Sequence, residues 1–322
     1  MKSNSWKKLA LGAVLLCATG LVAGAASLQR SDIPANPLWL AHLDFDALRP
    51  TTIGQFILGE MDKPEAKARL AAFQTIFNFD LRTQLHGASA FGTSQNPEDG
   101  ALILYADFDA DRLVTLAKAA KDYKSTDHNS HTIHNWIDEN KKSGHGDKPR
   151  VYASIQGNRV IFAQREAVVA GVLDVIDGTT PGLAADAFPD LGASGNSNFI
   201  EAAARKLDIP DSAPNAAVLR LSKTFQALIG EKSQQFQAAI TLVADTDEAA
   251  GHITSISQGL VALLSLQTNK PESVTLANAI TIKQNGSSVA GTITLPAADV
   301  VTMMKADAAR KAAAQKAKES KD

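Results

Sequence analysis

Four of the seven histidines in the chain, His128, His131, His134 and His145, fall close together and are interleaved with Asp127, Asp138 and Asp147. Neutral imidazole and carboxylate both donate to borderline metal ions, so the set suits zinc or copper. On a helix, His128, His131 and His134 would lie roughly on one side. The stretch from Thr126 to Trp136 reads as extended, however, and a three-residue step along a strand alternates faces. No His-Glu-x-x-His spacing is present. The expectation is a solvated polar hairpin with incidental histidines and no assigned metal ligand. The alternative is metal binding by the His128–His145 segment.

Three further groupings invite a chemical reading. Asp107, Asp109 and Asp111 alternate like the first ligands of a calcium loop, but the following glycine and closing glutamate are replaced by Arg112 and Lys118. Capping of a helix explains these aspartates better. His42 and Asp44 stand two apart in an apolar run, as a His-Asp dyad would, yet no Gly-x-Ser-x-Gly turn supplies a nucleophile, and a structural pair is expected. Gly192-Ala193-Ser194-Gly195 lacks the strand-to-helix context of a phosphate loop. The sequence therefore assigns no catalytic residue, no cofactor and no metal.

The elements that would position these residues are readable from periodicity. Runs at Pro37–Leu43, Ala101–Ala106 and Ala238–Ala244 are short, apolar and strand-like, and each runs into an Asp-x-Asp step. An aspartate there would occupy a helix N-cap, satisfying free N–H groups at the positive end of the helix dipole. After the second junction come strands at Val151–Ile155 and Val160–Ala163 around Gly157, then a helix from Glu166 to about Asp177. After the third come strands at Ala279–Ile282 and Val289–Leu295 around Gly286, then a helix from Pro296. The shared order of strand, capped helix, hairpin and helix predicts a divergent internal duplication.

The expected class is α+β with two lobes, each an antiparallel or mixed sheet covered by helices. Residues 26–180 form the first lobe, the Gly- and Pro-rich stretch 181–197 a linker and 198–305 the second lobe. The second lobe would open with a helix at Asn198–Leu207 and a strand at Ala216–Leu221. Residues 306–322 are an Ala- and Lys-rich helical tail. Lys2, Lys7 and Lys8 before the apolar run from Leu9, with the small residues Ala23-Gly24-Ala25, have the layout of a signal peptide over residues 1–25 cut between Ala25 and Ala26. An uncleaved anchor facing outward is the alternative. Cleavage would remove Cys17, the only cysteine, leaving no disulfide even in a compartment that permits one. A net charge of −2 argues against nucleic acid as a partner, since phosphate contacts need a basic surface.

Leu38–Arg49 and Gly171–Gly178 resemble segments of large uncharacterised exported bacterial proteins with a signal peptide and paired α+β halves. The resemblance implies a fold and brings no catalytic motif. The functional expectation is a periplasmic or secreted non-catalytic binding or interaction protein, with a ligand or protein partner outside the cytoplasm and no stable membrane insertion after cleavage. A hydrolase with a dispersed active site is the enzymatic alternative.

Overall fold

The structure, a computed structural model, describes residues 27–139, 149–193, 197–205, 220–267 and 271–319. Its first strand, β1 (Trp39–Asp44), buries Leu40, His42 and Asp44 on one face, as period-two alternation requires. The Asp44 side chain accepts from the Ala47 backbone N–H and so starts the short helix α1 (Phe45–Leu48). Helices α2 (Thr52–Met61) and α3 (Pro64–Phe77) follow, then strands β2 (Leu85–Gly92) and β3 (Gly100–Ala106). Asp109 caps helix α4 (Ala110–Ala119). Two hairpins come next, β4 (Lys124–His128) with β5 (His131–Ile137) and β6 (Arg150–Gln156) with β7 (Arg159–Ala163), ahead of helix α5 (Glu166–Ile176).

The C-terminal half runs β8 (Asn198–Arg205), β9 (Ser222–Lys232), β10 (Gln235–Ala244), helices α6 (Asp247–Ser265) and α7 (Pro271–Ala279), β11 (Ile280–Asn285), β12 (Ser288–Pro296) and helix α8 (Ala297–Glu319). Among the described residues all strands join one twelve-stranded sheet, in the order β11-β12-β10-β9-β8-β1-β2-β3-β7-β6-β5-β4, and every pairing is antiparallel. Of the two expected sheet types, antiparallel or mixed, the sheet is the antiparallel one. The two lobes expected to carry separate sheets are instead joined where β1 pairs β8, each strand covering the other's otherwise open edge.

Read outward from that seam, one arm is β1-β2-β3-β7-β6 and the other β8-β9-β10-β12-β11; the first arm extends further through β5 and β4. In the first arm β3 leads to one helix, two hairpins and then α5, whereas in the second β10 leads to two helices, one hairpin and then α8. The hairpin turns hold Gly157 at φ 59° and Gly286 at φ 56°, a backbone region glycine enters without Cβ strain.

Several local expectations differ from the structure. Residues 198–205 form strand β8 where a helix was expected, because β1 and β9 pair with both its edges and override the helix propensity of Ala202, Ala203 and Ala204. Thr246, rather than an aspartate, caps α6. Of the expected strand 216–221, residues 216–219 lie outside the described residues, and β9 begins only at Ser222. Residues 181–193 connect the halves but are no loose tether, since Leu183, Phe188 and Leu191 are buried in the main core. Arg30 holds this strap by donating to the carbonyls of Ala184, Ala187, Phe188 and Leu191.

That main core lies on one face of the sheet, where α5, the strap and the segment before β1 pack Val169, Val172, Leu173 and Ile33 onto Leu40, Phe91, Ile103 and Ile161. α5 buries Val169, Val172 and Leu173 there completely or nearly so. Smaller clusters hold α1, α2 and α8 against β8 through Leu48, Ile53, Phe199 and Val301, and α6 against β10 and β12 through Ile253, Leu242 and Val289.

Candidate ligand-binding site

Helix α4 is amphipathic, with Leu113, Leu116 and Ala117 at helical spacing and Ala120 one turn on, opposite Asp111, Arg112 and Lys118. None of its residues is fully buried. An apolar stripe that reaches the sheet but does not close onto it leaves space, and here that space is a cavity of about 300 Å³. Its floor is built from alternating residues of three neighbouring strands. Ala153 and Ile155 come from β6, Val160 and Phe162 from β7, and His134 and Trp136 from β5. Register places Ala153 between His134 and Phe162, so small alanine sits under the middle of the helix. Phe77, at the end of α3, forms one wall. The volume is at the lower end of the range for small-molecule sites, about 300–1,000 Å³, and the predominantly apolar lining is typical of them.

His134 is only 6% exposed. Its Nδ1 lies 2.9 Å from the Tyr123 hydroxyl, and the two rings stack with centroids 6.0 Å apart. Burial, aided by the positive charge of Lys118, lowers the His134 pKa and favours neutral imidazole. A neutral ring hydrogen-bonded by a phenol is a positioned polar group within an apolar container.

The other histidines of the cluster go elsewhere. His128 Nε2 lies 2.8 Å from Asp174, and His131 Nε2 is 2.9 Å from Asp177, tying the β4–β5 hairpin to the end of α5. His145 lies outside the described residues, as do Ala25 and Ala26. Each described histidine of the cluster has a different partner, and no grouping of three or more metal-ligating side chains occurs among the described residues. Asp109 caps α4, and Asp107 instead contacts His86 Nε2 at 3.2 Å, while His86 Nδ1 faces Asp46 at 3.0 Å.

His42 Nδ1 lies 2.9 Å from the Ser89 hydroxyl across β1 and β2, a serine contact that sequence spacing did not reveal. A serine beside an imidazole is the start of a nucleophile and base pair. Ser89 is fully buried and His42 is 3% exposed, so the pair sits inside the main core. Asp44 and Glu201 share that interior. Burial raises both carboxyl pKa values, with hydrogen bonds from Ala47 to Asp44 and from Gly192 to Glu201 opposing it. Gly192, from the rejected phosphate-loop candidate, thus donates its N–H to a buried glutamate. Sequence reasoning missed the cavity because Ala117, Ala120 and Ala153 read as ordinary core positions. The usable signal was the amphipathic stripe of α4 beside the alternation of His134 and Trp136.

No protein-family model matches the chain, and a search of curated proteins also returns no match. Among solved structures it is similar to TP0453. Crystal form III of that protein gives a TM-score of 0.48 at 9% identity, covering 87% of this chain and 99% of the other. Crystal form I gives 0.46 at 9% identity, covering 87% and 98%.

Proposed function

We propose that this chain is a non-catalytic exported binding protein that holds a small apolar molecule between α4 and the face of β5, β6 and β7. The observation that carries the reading is the cavity of about 300 Å³ under a helix whose apolar stripe has no fully buried residue. An apolar ligand of matching volume gains dispersion contacts with the lining and removes further apolar surface from water. The burial of both His42, at 3% exposed, and Ser89, fully buried, supports a binding role over a hydrolytic one.

The test is titration with N-phenyl-1-naphthylamine, an apolar dye that brightens out of water, against the parent and the cavity-filling variants Ala117→Phe and Ala153→Phe. Binding at micromolar dye should fall at least about tenfold in both variants while far-UV dichroism is unchanged. The variants are needed because α6 exposes Ile256, Leu260 and Leu263 to 36%, 40% and 61%, an alternative surface for such a dye. Dye affinity unchanged by filling would place binding on that surface and end the cavity reading.

The export reading rests on the charged, apolar and small-residue layout of residues 1–25. No helix among the described residues is long and apolar enough to cross a membrane. The mature protein is expected in the periplasm or outside the cell, beginning at Ala26, and intact mass of exported protein checks it. Retention of Met1 in membrane fractions would favour an anchor. The matching strand order of the two arms supports an origin by duplication, with lobes at 26–180 and 198–305.

A further inference from the structure

The cavity's polar inventory is one-sided. His134 and Trp136 are two apart on β5, so both side chains stand on the same face, roughly 6.6 Å apart along the strand, and both line the cavity. Every other lining side chain is aliphatic or a phenyl ring. Trp136 Nε1–H can only donate. His134 has Nδ1 engaged by the Tyr123 hydroxyl, and a phenol is a stronger acid than neutral imidazole, so the phenol donates and the ring proton resides on Nε2. Among the described residues no hydrogen bond reaches His134 Nε2 or Trp136 Nε1, and neither atom is sealed from solvent. The site therefore offers two N–H donors and no side-chain acceptor.

Resting on the cavity being a binding site, we propose that its ligand class is an apolar, ring-sized molecule bearing a hydrogen-bond-accepting oxygen, a carbonyl or carboxylate, held with its hydrocarbon body under α4 and its oxygen accepting from His134 Nε2–H and Trp136 Nε1–H. A hydrocarbon without such an oxygen fills the same volume but displaces water from the two N–H groups without replacing its hydrogen bonds, and that loss weakens its binding. Tyr123 acts as a positioning residue, since its hydroxyl fixes which imidazole nitrogen carries the proton.

The experiment compares 2-acetonaphthone with 2-isopropenylnaphthalene, near-isosteres that differ by an oxygen in place of a methylene, following the combined fluorescence of Trp39 and Trp136 at pH 8. The parent should bind the ketone about tenfold more tightly, the equivalent of one neutral hydrogen bond. His134→Phe should bind both with a preference below about threefold, and Tyr123→Phe should weaken the preference without abolishing hydrocarbon binding. 2-Naphthoate, the carboxylate member, should also exceed the hydrocarbon; its order relative to the ketone separates a charged from a neutral natural ligand, and either order supports the proposal. Nitrogen-15 shifts of His134 should show the proton on Nε2. Equal affinity for ketone and hydrocarbon in the parent, or a preference kept in His134→Phe, would overturn the donor assignment while leaving the cavity reading intact. Failure of all three compounds to bind would end both.

Discussion

At the scale of single residues, two histidines respond to their surroundings in opposite directions. Burial lowers the His134 pKa, with Lys118 adding to the effect. At His86 burial also opposes the charge, but hydrogen bonds donated by the charged ring to Asp46 and Asp107 outweigh it and the pKa is raised. The signs for stability follow from proton linkage. Neutral His134 stabilises the fold above its unfolded pKa of about 6.5, and that contribution is lost as pH falls from there through the lowered folded value. Charged His86 stabilises the fold fully below about pH 6.5, and its contribution is lost as pH rises through the raised folded value. Proton titration followed by NMR should give midpoints on opposite sides of 6.5, and His134→Phe should flatten the fall in Tm between pH 6.5 and 5. A His134 midpoint at or above 6.5 would show that the ring is hydrated and the cavity wet. The sequence made the His cluster visible but not its dispersal. Partners such as Tyr123, Asp174 and Asp177 lie in other elements, and residue spacing carries no information about them.

At the scale of elements, legibility tracked how much of each element's stability is local. The junctions after β1 and β3 were readable because a capping carboxylate and the N–H it accepts are three residues apart, as in Asp44 with Ala47 and Asp109 with Arg112. The hairpin turns at Gly157 and Gly286 were readable for the same reason. Strand β8 was not, because its segment Asn198–Arg205 carries an Ala-rich, Glu-containing pattern that suits a helix in isolation. Its state is fixed by Leu40, Ala41 and His42 on one side and Gln226, Ala227 and Leu228 on the other. The strap at 181–193 reads as linker by its Gly and Pro content, but Arg30, more than 150 positions away along the chain, supplies the donors that hold its carbonyls. The cavity belongs to this class. It exists because α4 stands over Ala153 without closing onto it, a relation between elements that no window of sequence contains.

At the scale of the whole molecule, the seam between β1 and β8 decides whether the two arms behave as one cooperative unit. Five register pairs, Trp39 with Ala204 through Leu43 with Ile200, join them. Packing reinforces the ladder, because Leu48 and Ile53 from the first arm share a cluster with Phe199 and Val301 from the second, and Glu231 accepts from the Thr52 and Ile53 backbone at the start of α2. Burial of apolar surface across a continuous sheet couples the arms more strongly than a flexible linker would. All three tryptophans, Trp6, Trp39 and Trp136, precede residue 180, so tryptophan fluorescence reports the first arm while far-UV dichroism reports both. In urea the two signals should share one midpoint and one slope, the mark of a single transition. Ala202→Pro, in the middle of β8 and paired with Ala41 and Ala227, removes a ladder N–H and should cost about 3 kcal/mol or more. Because that loss falls on the seam, the dichroism midpoint should drop further than the fluorescence midpoint and the curves should separate. Separate midpoints already in the parent would mean that the arms fold independently, with the β1–β8 ladder too weak to bind them into one unit.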